Sequence, residues 1–236
     1  MQALFFFPDK NELKADISEI QRYLGYKKDS AIPENVKSLI EKSALEMQKL
    51  LTPKACYKEF DLTISEKKEE KSEALGGKEK SEESSQALQN QNSPSKLPDY
   101  QISFADLNFL SKNLGINLRN CSKIILFGLT IGPLVDQKIR KAQLSGSTEA
   151  AVFQATGAMY AESLTELLNK KIKEEYLAKG YKAHPRYSPG YGDISLEMQK
   201  DFFRLLPLEK IGLTLMESLI MAPEKSVTAF IGLEKL

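Results

Sequence analysis

The chain has 236 residues, enough for one folding unit or two and for a sizeable core. Its 33 Lys and Arg balance 32 Asp and Glu, so no whole-molecule field draws it to nucleic acid or to an anionic membrane. The single histidine, His184, cannot build a His-ligated metal cage or a Ser-His-Asp triad, and Cys56 and Cys121 stand outside any CxxC spacing, as free thiols in a reducing cytosol.

The opening Met-Gln-Ala-Leu-Phe-Phe-Phe-Pro lacks a basic n-region, and no apolar run reaches the length of a membrane span, so a soluble, cytoplasmic protein is expected. Leu13, Ile17, Ile20 and Leu24 follow helical spacing over Lys10–Leu24, with Gly25 as a stop. A second amphipathic helix is predicted from Pro33 to Leu51 on Val36, Ile40, Leu45 and Leu50. Cys56–Ile64 is β-prone and partly alternating, which predicts a strand.

Residues 66–97 change character. They are rich in Lys, Glu, Ser, Gln and Asn, with few apolar side chains to offset ordering entropy, and predict a disordered insertion. It divides an amino-terminal part, 1–65, with two helices and the first strand, from a core, 98–236. Tyr100–Phe104 resumes the sheet as partner of the earlier strand, which makes the insertion a long hairpin loop. Helical spacing returns over Ala105–Leu114, and the apolar run Lys123–Gly132 suits a buried strand. Pro133 starts a helix to about Leu144.

A long helix is predicted from about 147 to 179, capped by Ser147 or Thr148 and ended at Gly180. Phe153, Tyr160, Leu164, Leu168 and Ile172 form its apolar stripe. On a second face, Ala151, Ala155 and Ala158 lead up to Glu162. That pattern fits either a close helix–helix contact with the glutamate at its edge or a carboxylate displayed for function.

A polar loop punctuated by proline and glycine, His184–Asp193, is followed by a short helix, Leu196–Leu206. Strands are predicted around Leu213–Met221 and Ser226–Leu233, joined by a turn at Ala222–Lys225. Strands from both halves without a regular βαβ rhythm predict an α+β fold: a mainly antiparallel twisted sheet flanked by helices.

Chemistry concentrates in Pro185-Arg-Tyr-Ser-Pro-Gly-Tyr191. Arg186 can grip a carboxylate in fork geometry, Gly190 allows close main-chain approach, and a tyrosine can stack on a purine or face a sulfonium. A packed corner would use the same residues. Arg186-x-x-Pro189-Gly190-Tyr191 resembles the Arg-x-x-x-Gly-Tyr signature of the reactivation (activation) domain of cobalamin-dependent methionine synthase. Two further segments resemble that family, the first of them the opening of its stand-alone relatives. They are Leu126-Phe-Gly-Leu-Thr-Ile-Gly-Pro-Leu-Val-Asp136 and Ile211-Gly-Leu-Thr-Leu-Met-Glu-Ser-Leu-Ile-Met-Ala-Pro-Glu-Lys-Ser-Val227, in which Met216 replaces the usual threonine.

The resemblance implies a site for S-adenosylmethionine formed by Glu162, Arg186, Ser188, Gly190 and Tyr191, with Ser188 contributing backbone contact. It implies no catalytic side chain and no metal ligand of the chain's own. The family restores oxidised cobalamin with a methyl group from S-adenosylmethionine and an electron from a reduced flavoprotein of flavodoxin type. No cobalamin-binding motif is recognisable, so the cobalamin would sit on a separate corrinoid protein, as in methionine biosynthesis. Three features depart from the family. A later tyrosine is absent; the ligand aspartate could be Asp61, Asp99 or Asp106; and Asp193 is expected to cap the helix after it. The alternative is a non-catalytic interaction module that keeps the fold and has lost ligand binding. A small-molecule methyltransferase of the Rossmann type lacks its Gly-rich strand-to-helix loop.

Overall fold

The computed structural model describes residues 2–27, 30–67 and 98–236. A short strand not anticipated from sequence, β1 (Leu4–Phe6), precedes a 3-10 turn at Lys10–Glu12 and helix α1 (Ile17–Tyr23). Lys10–Leu24 is therefore two pieces and not one helix. Asp9 forms a capping box with Glu12, and Asp16 accepts from the Glu19 amide, so each acid starts its own turn. Helix α2 (Glu34–Leu50) has its expected span but buries Ile40, Ser43, Ala44 and Met47, leaving Leu45 exposed.

Strand β2 (Lys54–Lys67) outruns its expected end, so Glu66 and Lys67 belong to it; the rest of the proposed disordered insertion, 68–97, lies outside the described residues. Strand β3 (Asp99–Phe104) pairs antiparallel with β2, Leu62 opposite Phe104, as the hairpin reading requires. The segment expected to be helical from Ala105 is instead strand β4 (Leu107–Ser111), followed by the short helix α3 (Asn113–Asn117). Ala105, at φ +50°, reverses the chain so that Leu107 pairs with Phe104, and edge pairing overrides the helical spacing.

Strand β5 (Cys121–Thr130) is followed by α4 (Pro133–Ser145) and α5 (Ser147–Leu177). The two helices meet at Gly146, whose amide bonds to the Ala142 carbonyl, and neither Ser147 nor Thr148 caps α5. The apolar stripe of α5 is buried in full. After β6 (Tyr181–Ala183), also unanticipated, come α6 (Met198–Leu205), β7 (Thr214–Leu215), β8 (Met221–Ala222) and β9 (Ser226–Lys235). Leu213–Met221 is thus no continuous strand. Leu219, at φ +64°, turns it back on itself as a small hairpin of β7 and β8.

The main sheet runs β4-β3-β2-β5-β9-β6, antiparallel throughout, with β1 added on the β2 edge. Alternation along β5 explains its unbroken apolar sequence. Ile125, Phe127 and Leu129 face the layer of α1, α2, α4 and α5, whereas Ile124 and Leu126 face the layer built around α3, α6 and the turn at Leu208–Ile211. Gly128, on the same strand, gives Leu208 its room: a Cβ there would lie 2.6 Å from the buried Leu208 Cδ2 and would force that side chain to shift. Cys56 and Cys121 are free and buried, and burial raises both thiols to about 12. Among the described residues no helix is long and apolar enough to cross a membrane.

Asp193 does not cap the helix that follows it. Its carboxylate accepts from Ser111 Oγ at 2.7 Å and from the Lys112 and Asn113 amides at 2.5 and 3.3 Å, capping α3 from far along the chain. Burial pushes its pKa up, but these donors outweigh burial and hold it below the ordinary 3.8. A depressed carboxyl stabilises fully above 3.8 and loses that contribution as pH falls through its lower folded value. Asp193→Ala is expected to cost about 1 to 2 kcal/mol at neutral pH in urea unfolding, with the gap to the parent protein narrowing under acid.

Candidate functional site

The loop after β6 is held by strand geometry. The His184 amide donates to the Gly232 carbonyl at 2.8 Å, and Tyr187 and Phe230 exchange both backbone bonds at 2.9 and 2.8 Å, so the loop runs beside β9. Asn117 Nδ2 donates to the Pro185 carbonyl at 3.0 Å. The His184 ring bridges the Asn117 carbonyl and Glu234, at 2.7 and 2.9 Å, a structural use of the lone histidine.

Beyond Pro189 the chain bends sharply. Gly190 lies at φ +86°, and its amide donates to the Ile194 carbonyl at 2.9 Å. Gly192, at φ +56°, passes so close to the Tyr187 hydroxyl that a Cβ would sit 2.1 Å from it. That hydroxyl donates to the Tyr191 carbonyl at 3.1 Å, and the Tyr191 amide reaches the Ser188 carbonyl at 3.4 Å. The backbone at Tyr191 is thereby fixed while its side chain is left 69% exposed.

Arg186 extends from this loop to α5. Its Nη2 lies 2.5 Å from Glu162 Oε1 and its Nη1 2.6 Å from Glu166 Oε1. Burial lowers the guanidinium's pKa, and the two carboxylates more than offset it, so Arg186 stays a cation. Glu166, one helical turn beyond Glu162, was not among the expected site residues, although the i, i+4 spacing on one helix face carries the signal. Tyr23 on α1 lies within the field of Glu162: burial raises its phenol, and the carboxylate raises it further.

Glu162, Arg186, Ser188 and Tyr191 line one cleft of about 380 Å³, together with Tyr187 and Val227. Gly190 shapes the bend and does not line the cleft. A hollow of about 290 Å³ on the other side of the guanidinium is lined by Glu166, Asn169, Lys173, His184, Pro185, Arg186 and Ile231. The stripe of small residues on α5 is divided: Ala151 is exposed, Ala155 is buried and Ala158 is half-buried. None of the three aspartates considered for the site lines the Arg186 cleft. Asp61 pairs with Lys123, Asp99 with Lys112 and Asp106 with Arg204, at 3.3, 3.7 and 2.7 Å. Among the described residues no cluster of His, Cys, Asp and Glu is arranged to hold a metal ion.

This combination offers a cation with a forked donor, two carboxylates, a presented aromatic ring and a cleft of small-molecule size. It contains no nucleophile paired with a base. Comparison with known proteins agrees with the fold. A crystal structure of the MetH reactivation domain bound to AdoHcy superposes with a TM-score of 0.60 at 15% identity, covering 98% of this chain and 78% of that one. No curated protein matches the chain in sequence. The family described as vitamin B12 dependent methionine synthase, activation domain, matches residues 21–235. Across nearly its whole length, then, the chain belongs to the activation-domain family of vitamin B12-dependent methionine synthase.

Proposed function

We propose that the chain binds S-adenosylmethionine in the Arg186 cleft and presents it to a cobalamin carried by a separate corrinoid protein, in the reductive methylation that restores inactive cobalamin. The observation that carries this reading is the meeting of Arg186 and Glu162 at a cleft whose remaining wall holds Ser188 and the exposed Tyr191. A zwitterionic amino-acid end needs one cationic and one anionic partner side by side, and a purine needs an accessible ring face.

In this reading Arg186 takes the ligand carboxylate, Glu162 faces the ammonium and sulfonium charges, Ser188 contributes main-chain contact, and Gly190 gives the bend that presents Tyr191. The bound ligand supplies the methyl group, and the electron comes from a flavodoxin-type donor. The chain's own contribution is position: a ligand held at fixed orientation where the partner docks reacts with much of its entropic barrier already removed. In this reading no side chain has to exchange a proton. Methionine biosynthesis in the cytoplasm is the setting proposed.

One observation favours a second reading, an interaction module without ligand. Both terminal nitrogens of Arg186 already have carboxylate partners, so the fork satisfies itself. Titration of the purified protein with S-adenosylmethionine, with and without a cobalamin-loaded candidate partner, separates the two, because the module predicts no heat in either arm.

Arg186→Ala is expected to weaken binding by about 1.5 to 3 kcal/mol, roughly tenfold or more, in calorimetric titration; unchanged affinity would remove Arg186 from the site. Tyr191→Ala should weaken it by about two- to tenfold through lost stacking while Tyr191→Phe keeps it, and neither should shift the thermal midpoint appreciably, since the ring is exposed.

A further inference from the structure

Arg186 bridges two acids that differ in their surroundings. Glu162 has 32% of its side chain exposed and lines the same cleft as the guanidinium and Tyr191. Glu166 has 62% exposed and lines the hollow on the other side. An ion pair so open to water contributes little to stability and is readily exchanged, whereas the Glu162 pair is better shielded.

Glu166 also has somewhere to go. Asn169 Nδ2 is 3.4 Å from Glu166 Oε1, and Lys173 lines the same hollow of about 290 Å³. Lys170 stands four residues on, in the Glu-to-Lys order that favours a pair on a helix, and its own contact with Glu174 is long, at 4.0 Å. Loss of the Arg186 contact leaves Glu166 with an amide donor at hand and two lysines within a helical turn or two.

We propose that Glu166 is a displaceable occupant of the Arg186 fork, an affinity-setting residue whose place the carboxylate of the S-adenosyl ligand takes. The proposal rests on the S-adenosyl reading above. In the free protein Glu166 shares a half-buried guanidinium with Glu162, and on binding the ligand carboxylate, reaching Arg186 from the cleft, takes over Nη1 while Glu162 remains. Glu166 therefore competes with the ligand, and its removal strengthens binding instead of weakening it. A residue that only braced the loop, or one that received the ligand ammonium, would act in the opposite direction.

The test is calorimetric titration of S-adenosylhomocysteine and, separately, adenosine into the full-length protein and its Glu166→Gln, Glu166→Ala and Glu162→Gln variants. Both Glu166 variants are expected to bind S-adenosylhomocysteine about three- to tenfold more tightly than the parent and to leave adenosine, which has no carboxylate, unchanged. Glu162→Gln is expected to weaken binding of S-adenosylhomocysteine. Binding seen only in the Glu166 variants would support the proposal in its strongest form. Equal or weaker binding by the Glu166 variants beside a binding parent, or an equal gain for adenosine, overturns the competition and leaves the S-adenosyl reading standing. Absence of binding in the parent and both Glu166 variants overturns that reading, and the competition with it.

Discussion

The backbone pair between Tyr187 and Phe230 sets the direction of the whole site. Along β9, Phe230 points into the cluster beside α6, and Ala229 and Ile231 point into the cluster beneath α5. Tyr187, the partner of Phe230, packs on the same side as Phe230. Its neighbours Arg186 and Ser188 must then face the α5 side, because side chains on an extended chain alternate. A slip of one residue would turn Tyr187 toward Glu162 and drive the guanidinium into an apolar layer, at the cost of burying an unpaired charge. One hydrogen-bond register therefore decides whether Arg186 can reach Glu162 at all.

The helix supplies the other half of that constraint. Leu164, Leu168 and Ile172 are fully buried, Tyr160 donates to the Ala44 carbonyl at 3.0 Å, and Thr156 meets Ser43 at 2.7 Å. Those contacts fix the rotation of α5 about its axis, and with it the azimuth of Glu162 and Glu166. A loop residue and a helix residue are held by separate parts of the core, yet their charged ends meet at 2.5 Å. The geometry of the site is set by contacts that lie outside it.

Much of this was legible in sequence where a single physical signal dominated. The 3.6-residue stripe of α5, the apolar run of β5 and the Pro-Gly bend of the loop each depend on local pattern, and each lies where the pattern predicts. Legibility failed where a distant partner decided the outcome. Leu107–Ser111 carries a helical spacing, and only pairing with β3 makes it a strand. Asp193 precedes one helix and caps another, because Ser111 and the Lys112 amide approach from elsewhere in the chain. Likewise Asp136 and Glu224 fall in two separate family-like segments, and the structure joins them: the Glu224 amide donates to Asp136 Oδ2 at 2.6 Å. Part of what marks the family in sequence is therefore fold chemistry, and Glu166, which carried no motif, sits on the guanidinium.

The charges of the site add a constraint on what it suits. One guanidinium and two carboxylates leave an excess of one negative charge around Arg186, in a setting less screened than open solvent. A plain carboxylate ligand would have to enter against that excess. A ligand with one carboxylate and two cationic centres, as in S-adenosylmethionine, brings the arrangement to neutrality and gives every charge an opposite neighbour. Adenosine alone satisfies only the tyrosine side of the cleft and leaves the Arg186 fork with its own acids. Glu162, which lines the cleft, is thus the acid that makes a doubly cationic zwitterion the better guest, whereas Glu166 holds the fork until a ligand carboxylate displaces it, so self-pairing of the fork does not exclude the proposed S-adenosyl ligand.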